Sequence, residues 1–288
     1  MFKNTAKTTV LLAAIAGLLV FVGSLFGPRG TIIGLGLGLV AVGFSYWFSD
    51  RLAIAAAGAT EVSAAQAPQL HATVAELVER AGIPMPRVFV SPSAQPNAFA
   101  TGRSPRHAAV CVTRGLLDVL DPAEVKGVLA HELGHVKHRD ILIGSVAAAV
   151  ATGIQALAQM AMFASLFGGG GNDRDREGNA ASMLLLALLA PMAAGLLQMA
   201  LSRSREYEAD RAGAELCGDA RPLASALRKI EAYARKVPMD VPPAQASAYI
   251  VNPLIGRQVN FARLFTTHPA TDERIARLEA MQPRLSRA

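Results

Sequence analysis

The sequence contains little cysteine and little charge. Only two cysteines, Cys111 and Cys217, occur in 288 residues, and they form no Cys-x-x-Cys pair. This scarcity argues against a disulfide framework and favours a reducing compartment, with Cys111 as a core residue of an apolar, strand-like run. Charged residues make up 17% of the chain and hydrophobic residues 52%. Such a balance is typical of a membrane protein with one modest soluble part.

Organised basic patches are also lacking, although the net charge is +6. The chain contains no run of Lys or Arg and no interleaved aromatic stripe, so nucleic acid is not predicted as a partner. In a membrane protein, a basic balance more often reflects the retention of Lys and Arg on the cytoplasmic side.

Several apolar runs are long enough to span a lipid bilayer. Residues 8–28 and 30–49 contain no charge, and each run has about 20 residues, the length that a helix needs to cross the hydrocarbon core. We interpret them as a transmembrane hairpin. A second hairpin is predicted over 141–202, although length alone leaves open two buried helices of a soluble domain there. The charge-free runs, which in the second hairpin are 141–172 and 178–202, contain no Asp, Glu, Lys or Arg, and this argues against a pore or transporter.

The distribution of Lys and Arg predicts an orientation. Lys3 and Lys7 precede the first run and only Arg29 lies in the connecting turn, so the N-terminus is expected in the cytoplasm. Pairs of crossings return every later soluble segment, and the C-terminus, to that side. The predicted domains are a hairpin over 1–50, a soluble part over 51–140, a hairpin over 141–202 and a second soluble part over 203–288.

The first soluble part has the pattern of a small α+β unit. Residues 87–90 and 108–113 are predicted strands. Asp121, Pro122 and Glu124 form an N-cap, a first-turn proline and a capping-box glutamate, a combination that predicts the start of a helix. Apolar residues then recur at helical spacing.

That helix carries the pattern His-Glu-x-x-His. His131 and His135 are four residues apart, so they share one helix face and can bind one metal ion. Glu132 would then be close enough to take a proton from a water molecule at the ion. Zinc suits two imidazole nitrogens, one carboxylate and one water. A buried helix with two merely hydrogen-bonded histidines is the alternative interpretation.

A third ligand is expected in the second soluble part. Glu206 and Asp210 are four residues apart, so Glu206 could bind the metal while Asp210 accepts the outer N–H of a ligand histidine. Their spacing is equally compatible with an exposed helix that forms ion pairs with neighbouring arginines. His138 and Glu208 are predicted to lie outside the ligand set.

Several ordered motifs now resemble one family. The motifs are NAFATGR at 97–103, HELGHVKHRD at 131–140, SRSREYEAD at 202–210 and THPATDERI at 267–275. Together they resemble the HtpX-type membrane zinc endopeptidases and, more remotely, the zinc CAAX prenyl endopeptidases. The resemblance implies a mostly α membrane protein with two transmembrane hairpins and a cytoplasmic, zincin-like α+β catalytic domain that has a small edge-strand sheet.

The resemblance also implies roles for particular residues. One Zn²⁺ per chain would be held by His131, His135 and Glu206, with Glu132 as the general base and Asp210 behind a ligand. His268 and Arg274 would stabilise the oxyanion. The substrate backbone would add as a further β-strand to an edge strand formed by Asn97, Ala98, Phe99 and Ala100.

The function that the resemblance implies is hydrolysis of peptide bonds in misfolded or damaged proteins at the bacterial cytoplasmic membrane, as part of a stress response. Two alternatives stay open at this point. One is maturation of a prenylated CAAX-type peptide, and the other is a non-catalytic membrane scaffold with a structural metal site. The expected partners are peptide substrates and the lipid bilayer. Self-association of the chain is left open by the sequence.

Overall fold

The computed structural model describes residues 27–141, 203–237, 250 and 269–286, together with residues 13, 17 and 20. Most of the first predicted span, nearly all of the second predicted hairpin, and His268 lie outside the described residues. The elements of the described part, labelled in chain order, are α1 (Gly27–Ala56), β1 (Thr60–Glu61), α2 (Pro68–Ala81), β2 (Arg87–Ser91), β3 (Ala98–Gly102), β4 (Ala108–Thr113), α3 (Arg114–Val119), α4 (Pro122–His138), α5 (Arg203–Cys217), α6 (Arg221–Lys236) and α7 (Thr271–Leu285).

The four strands form one mixed sheet in the order β1-β2-β4-β3. β2 and β4 are parallel, whereas β1 and β3 are antiparallel to their neighbours. All six residues of β4 are buried, as expected for a central strand that is covered on both faces. β3 is the outermost strand on its side of the sheet in the described part of the chain, which agrees with the expected edge-strand sheet.

The main hydrophobic core lies between one face of the sheet and helices α2, α4 and α6. Leu77, Leu129 and Leu227 are fully buried there. A smaller cluster on the other face joins Ile54 of α1 to Cys111 of β4. Burial raises the pKa of Cys111 to about 12, so this residue is a core residue and not an ionised thiol.

Helix α1 extends seven residues beyond Ser49, the end of the predicted span, and reaches the sheet. Asp50 accepts a 2.6 Å hydrogen bond from Arg87 of β2, and the guanidinium of Arg103 lies 4.7 Å from the Trp47 ring centroid. These contacts attach the end of α1 to the sheet. No helix that the described residues form is both long enough and apolar enough to cross a membrane.

The start of α4 agrees with the predicted capping box. The Asp121 side chain accepts from the Glu124 amide at 2.9 Å, and the Glu124 side chain accepts from the Asp121 amide at 3.0 Å. Lys229 and Ser225 of α6 also donate to Glu124, each at 2.6 Å. The same carboxylate therefore caps α4 and anchors α6 against it.

Glycines allow α4 and its neighbours to pack closely. A β-carbon at Gly213 of α5 would lie 2.8 Å from the backbone nitrogen of His131 and 3.0 Å from the α-carbon of the same residue. At Gly134 of α4 the nearest atoms of α5 would be 3.3 Å away. The two helices thus cross with their backbones almost in contact beside His131, and this crossing determines where the side chains of α5 lie.

We expect Gly213→Ala to lower the free energy of unfolding by about 1–3 kcal/mol, because the added methyl group must push two backbones apart. Gly134→Ala is the matched control, because its methyl group meets only a tight contact in the same interface. Chemical denaturation of both variants provides the measurement. Equal stability of the two variants would contradict the close crossing at Gly213.

Candidate metal centre

Three side chains from two helices converge beside the crossing of α4 and α5. The potential ligand atoms of His131, His135 and Glu206 all lie within 4.8 Å of one another. Nε2 of His131 is 3.9 Å from one Glu206 carboxylate oxygen, and Nε2 of His135 is 3.7 Å from the other. His131 and Glu206 are buried, at 1% and 3% exposure. We call these residues the ligand triad.

The donor set of the triad fits a metal ion. The Nδ1 atoms of both histidines face carboxylates, Asp210 for His131 and Asp140 for His135. A carboxylate at Nδ1 keeps the proton on that nitrogen, so the Nε2 lone pair of each ring is available to a metal on the Glu206 side. Two imidazoles and one carboxylate are the protein ligands of many catalytic zinc sites, which leave one position open.

Asp210 is held on two sides. Its carboxylate lies 2.9 Å from His131 Nδ1 and accepts hydrogen bonds from Nε and Nη2 of Arg274 at 2.9 and 2.7 Å. Burial by itself would raise the pKa of Asp210, but the charge and hydrogen bonds of Arg274 and His131 lower it to about 2. The carboxylate is therefore ionised and can orient the His131 ring. The exposed-helix interpretation of Glu206 and Asp210 does not agree with their burial.

Arg274 lies behind the ligand triad. Besides its two bonds to Asp210, its Nη1 atom donates to the Ile250 carbonyl at 2.8 Å. Its Nη1 atom is also 3.8 Å from Glu206. These contacts occupy all three guanidinium nitrogens and give Arg274 a positioning role in this structure. The oxyanion role that the resemblance implies stays a prediction, since His268, its expected partner, lies outside the described residues.

Asp140 was missed by the sequence reasoning. After α4 ends, Arg139 adopts a left-handed backbone conformation with φ 58°, which turns the chain back towards the helix. Asp140 is consequently buried, with its oxygens 3.1 and 3.2 Å from His135 Nδ1. The available signal was an aspartate five residues after His135, but spacing alone does not reveal the tight turn.

Glu132 is buried next to the triad and faces strand β3. Its Oε2 atom accepts a 2.9 Å hydrogen bond from the Ala100 amide. Burial raises the pKa of Glu132, with the neighbouring histidines and the Ala100 amide opposing the shift. A carboxyl group with a raised pKa can both take up and return a proton near neutral pH.

The expected substrate-binding residues differ in their surroundings. Asn97 is buried at 4% exposure, and its side-chain oxygen accepts from the Ile250 amide at 3.0 Å. Phe99 packs against the cluster between α1 and the sheet. Ala98, also buried, lies between them, and half-buried Ala100 follows Phe99 in strand β3. His138 and Glu208 lie outside the triad, as expected, and Glu208 is exposed.

The fold and the site define a metallopeptidase of the His-Glu-x-x-His-plus-glutamate type. Residues 64–282 match the model of peptidase family M48. The chain is 49% identical over 285 residues to the Protease HtpX homolog of Desulfatibacillum aliphaticivorans, covering 97% of this chain and 90% of the relative. It is 50% identical over 284 residues to the Protease HtpX homolog of Methylibium petroleiphilum, covering 97% and 98%.

The protein therefore belongs to peptidase family M48 and is a metalloendopeptidase, as the motifs predicted. A solved structure, Ste24p of S. mikatae, is similar with a TM-score of 0.52 and 18% identity. The match covers 96% of this chain, and the chain spans 66% of the length of that structure. At this identity the likeness concerns the fold alone. Membership of the family also implies a metal cofactor, which the ligand triad can hold.

We expect Asp210→Asn to weaken metal affinity by about tenfold to a hundredfold, because an amide orients His131 less well than a carboxylate. Glu208→Gln is the matched control, since it removes the same charge from the exposed face of the same helix. Competition with a chelator, followed by metal analysis, measures both variants. An equal loss of metal affinity in the two variants would show that total charge, and not the contact with His131, determines the affinity.

Proposed function

We propose that the protein is a zinc-dependent endopeptidase of the bacterial cytoplasmic membrane that cleaves misfolded or damaged proteins on the cytoplasmic side. The observation that carries the proposal is the convergence of two imidazole Nε2 atoms and one carboxylate beside a buried glutamate. A closed structural zinc site usually has four protein ligands. The described residues bring three together, which favours catalysis over a scaffold.

In this proposal His131, His135 and Glu206 hold one zinc ion per chain. When bound, zinc polarises the scissile carbonyl and lowers the pKa of a water molecule towards about 7. Asp210 and Asp140 orient the two imidazoles from behind, and Arg274 holds Asp210. Each ligand histidine thus has a carboxylate partner that sets its tautomer and ring plane before the metal arrives.

Glu132 acts as the general base and acid. It takes the proton from the attacking water and delivers it to the leaving amine as the peptide bond breaks. Its burial keeps bulk water away from the carboxylate, and the Ala100 amide holds one of its oxygens at 2.9 Å. Glu132 is therefore oriented before the substrate binds.

Two observations support a membrane location. The sequence contains long charge-free runs before residue 50 and after residue 140. Helix α1 also leaves large apolar side chains in solvent, with Ile32 at 72%, Val40 at 69% and Leu39 at 62% exposure. Contact with lipid would bury these side chains favourably. The cytoplasmic side follows from the positive residues that precede the first run.

The edge position of β3 supports extended, unfolded segments as substrates. A peptide that adds to a sheet edge binds mainly through its backbone, so its sequence matters little. This tolerance suits damaged proteins better than one defined peptide. Cleavage of an unfolded, unlipidated protein is therefore the expected activity, and a strict requirement for a prenylated peptide would favour the CAAX-type alternative.

The test compares zinc content and cleavage of unfolded casein by the wild type, Glu132→Gln and Glu206→Gln, all purified as full chains. We expect Glu132→Gln to keep one zinc per chain and to lose at least about a hundredfold in rate, because it lacks the base. Glu206→Gln should lose zinc, because one ligand is weakened. Glu208→Gln should resemble the wild type in both measurements.

Two results would overturn the assignments. Full proteolysis by Glu132→Gln would remove Glu132 from the role of base. Stoichiometric zinc in Glu206→Gln, with affinity unchanged, would require a different third ligand.

A further inference from the structure

Strand β3 has two kinds of residue along its edge. In an antiparallel ladder, alternate residues point both their N–H and C=O groups at the partner strand, and the residues between them point these groups away. The amide of Thr113 donates to the Asn97 carbonyl at 2.9 Å, so Asn97 faces β4. Ala98, paired with Val112, and Ala100, paired with Val110, therefore face outward.

The outward amide of Ala100 already has a partner. It donates to Glu132 Oε2 at 2.9 Å across the gap between β3 and α4. In the described part of the chain, this amide is the one protein hydrogen-bond donor to the Glu132 side chain. Ala98 and Gly102, two residues to either side, face the same way along the edge.

We propose that the backbone amide of Ala100 is a positioning group for the general base and is not a substrate-binding group. It holds the Glu132 carboxylate in one orientation beside the ligand triad. The substrate backbone then pairs with the outward carbonyl of Ala100, which is half-buried, whereas Ala98 and Gly102 are buried. This inference rests on the proposed function, in which Glu132 is the base and the substrate adds to β3.

Strand β3 would then determine both the orientation of Glu132 and the position of the substrate backbone. Successive residues of a strand are about 3.3 Å apart, so a strand added to β3 binds at a definite register relative to residue 100. Because residue 100 also holds Glu132, the scissile bond and the base are aligned by the same stretch of backbone. Alignment matters, since a misplacement of about 1 Å can cost about a hundredfold in rate.

The test must change the backbone, because the hydrogen bond involves no side-chain atom of Ala100. An amide-to-ester substitution, with lactate in place of alanine at residue 100, replaces the N–H by oxygen and keeps the strand geometry. The same substitution at residue 98 is the matched control, since it removes an outward N–H that does not contact Glu132. Full-length chains with each ester are compared with the wild type on an unfolded peptide substrate.

For the ester at residue 100 we expect kcat to fall by about tenfold to a hundredfold, because Glu132 loses its orienting donor. KM and zinc content should stay within about threefold of the wild type. For the ester at residue 98 we expect a kcat close to the wild-type value, because the N–H that is lost there does not contact Glu132.

Three results would overturn the inference. If the ester at residue 100 raises KM and leaves kcat unchanged, its amide binds substrate. If it changes neither constant, the hydrogen bond to Glu132 has no role in turnover. If it loses zinc or lowers Tm strongly, the role is structural. Failure of the proposed function is recognised separately, as full activity in Glu132→Gln or as a zinc-loaded wild type without activity.

Discussion

The close crossing of helices α4 and α5 is the constraint on which the site depends. The absence of a side chain at Gly213 lets α5 approach the backbone of His131 closely. A methyl group on Gly213 would lie 2.8 Å from the backbone nitrogen of His131. This approach brings Glu206 and Asp210, on one face of α5, to opposite sides of the same imidazole. If the two helices were further apart, the Glu206 and Asp210 carboxylates would be separated from the histidines. These buried, charged groups would then lose their partners, at a cost in free energy.

Buried charge around the triad is balanced locally. Two buried arginines, Arg205 and Arg274, and two histidines lie beside four buried acidic side chains, which are Glu132, Asp140, Glu206 and Asp210. Arg274 comes from the C-terminal helix α7, and Arg277, three residues further on, stacks 3.8 Å from the Tyr207 ring centroid of α5. The last helix therefore contributes to the site through α5, although none of its residues belongs to the triad. Such outer contacts orient metal ligands and preserve the geometry of the site.

Local patterns predicted the regular elements well. The capping box at Asp121 and Glu124 predicted the start of α4, and short strand-like runs predicted the strands at 87–90 and 108–113, because both signals depend on neighbouring residues. The charge-free run over 30–49 did not reveal that α1 continues to Ala56, since that continuation depends on contacts with β2 and β3. Asp140 was missed because its approach to His135 requires the left-handed turn at Arg139.

The sequence by itself determined the two histidines, the adjacent glutamate and the chemistry that they can perform, because residues four apart on a helix must share a face. It also indicated Glu206 and Asp210 as a pair, but not whether they were solvated or buried. Only the tertiary structure decided that they meet His131, that Arg274 binds Asp210, and that Ala100 faces Glu132. These contacts join residues that are at least 32 positions apart in the sequence, and local sequence patterns contain no information on such distances in space.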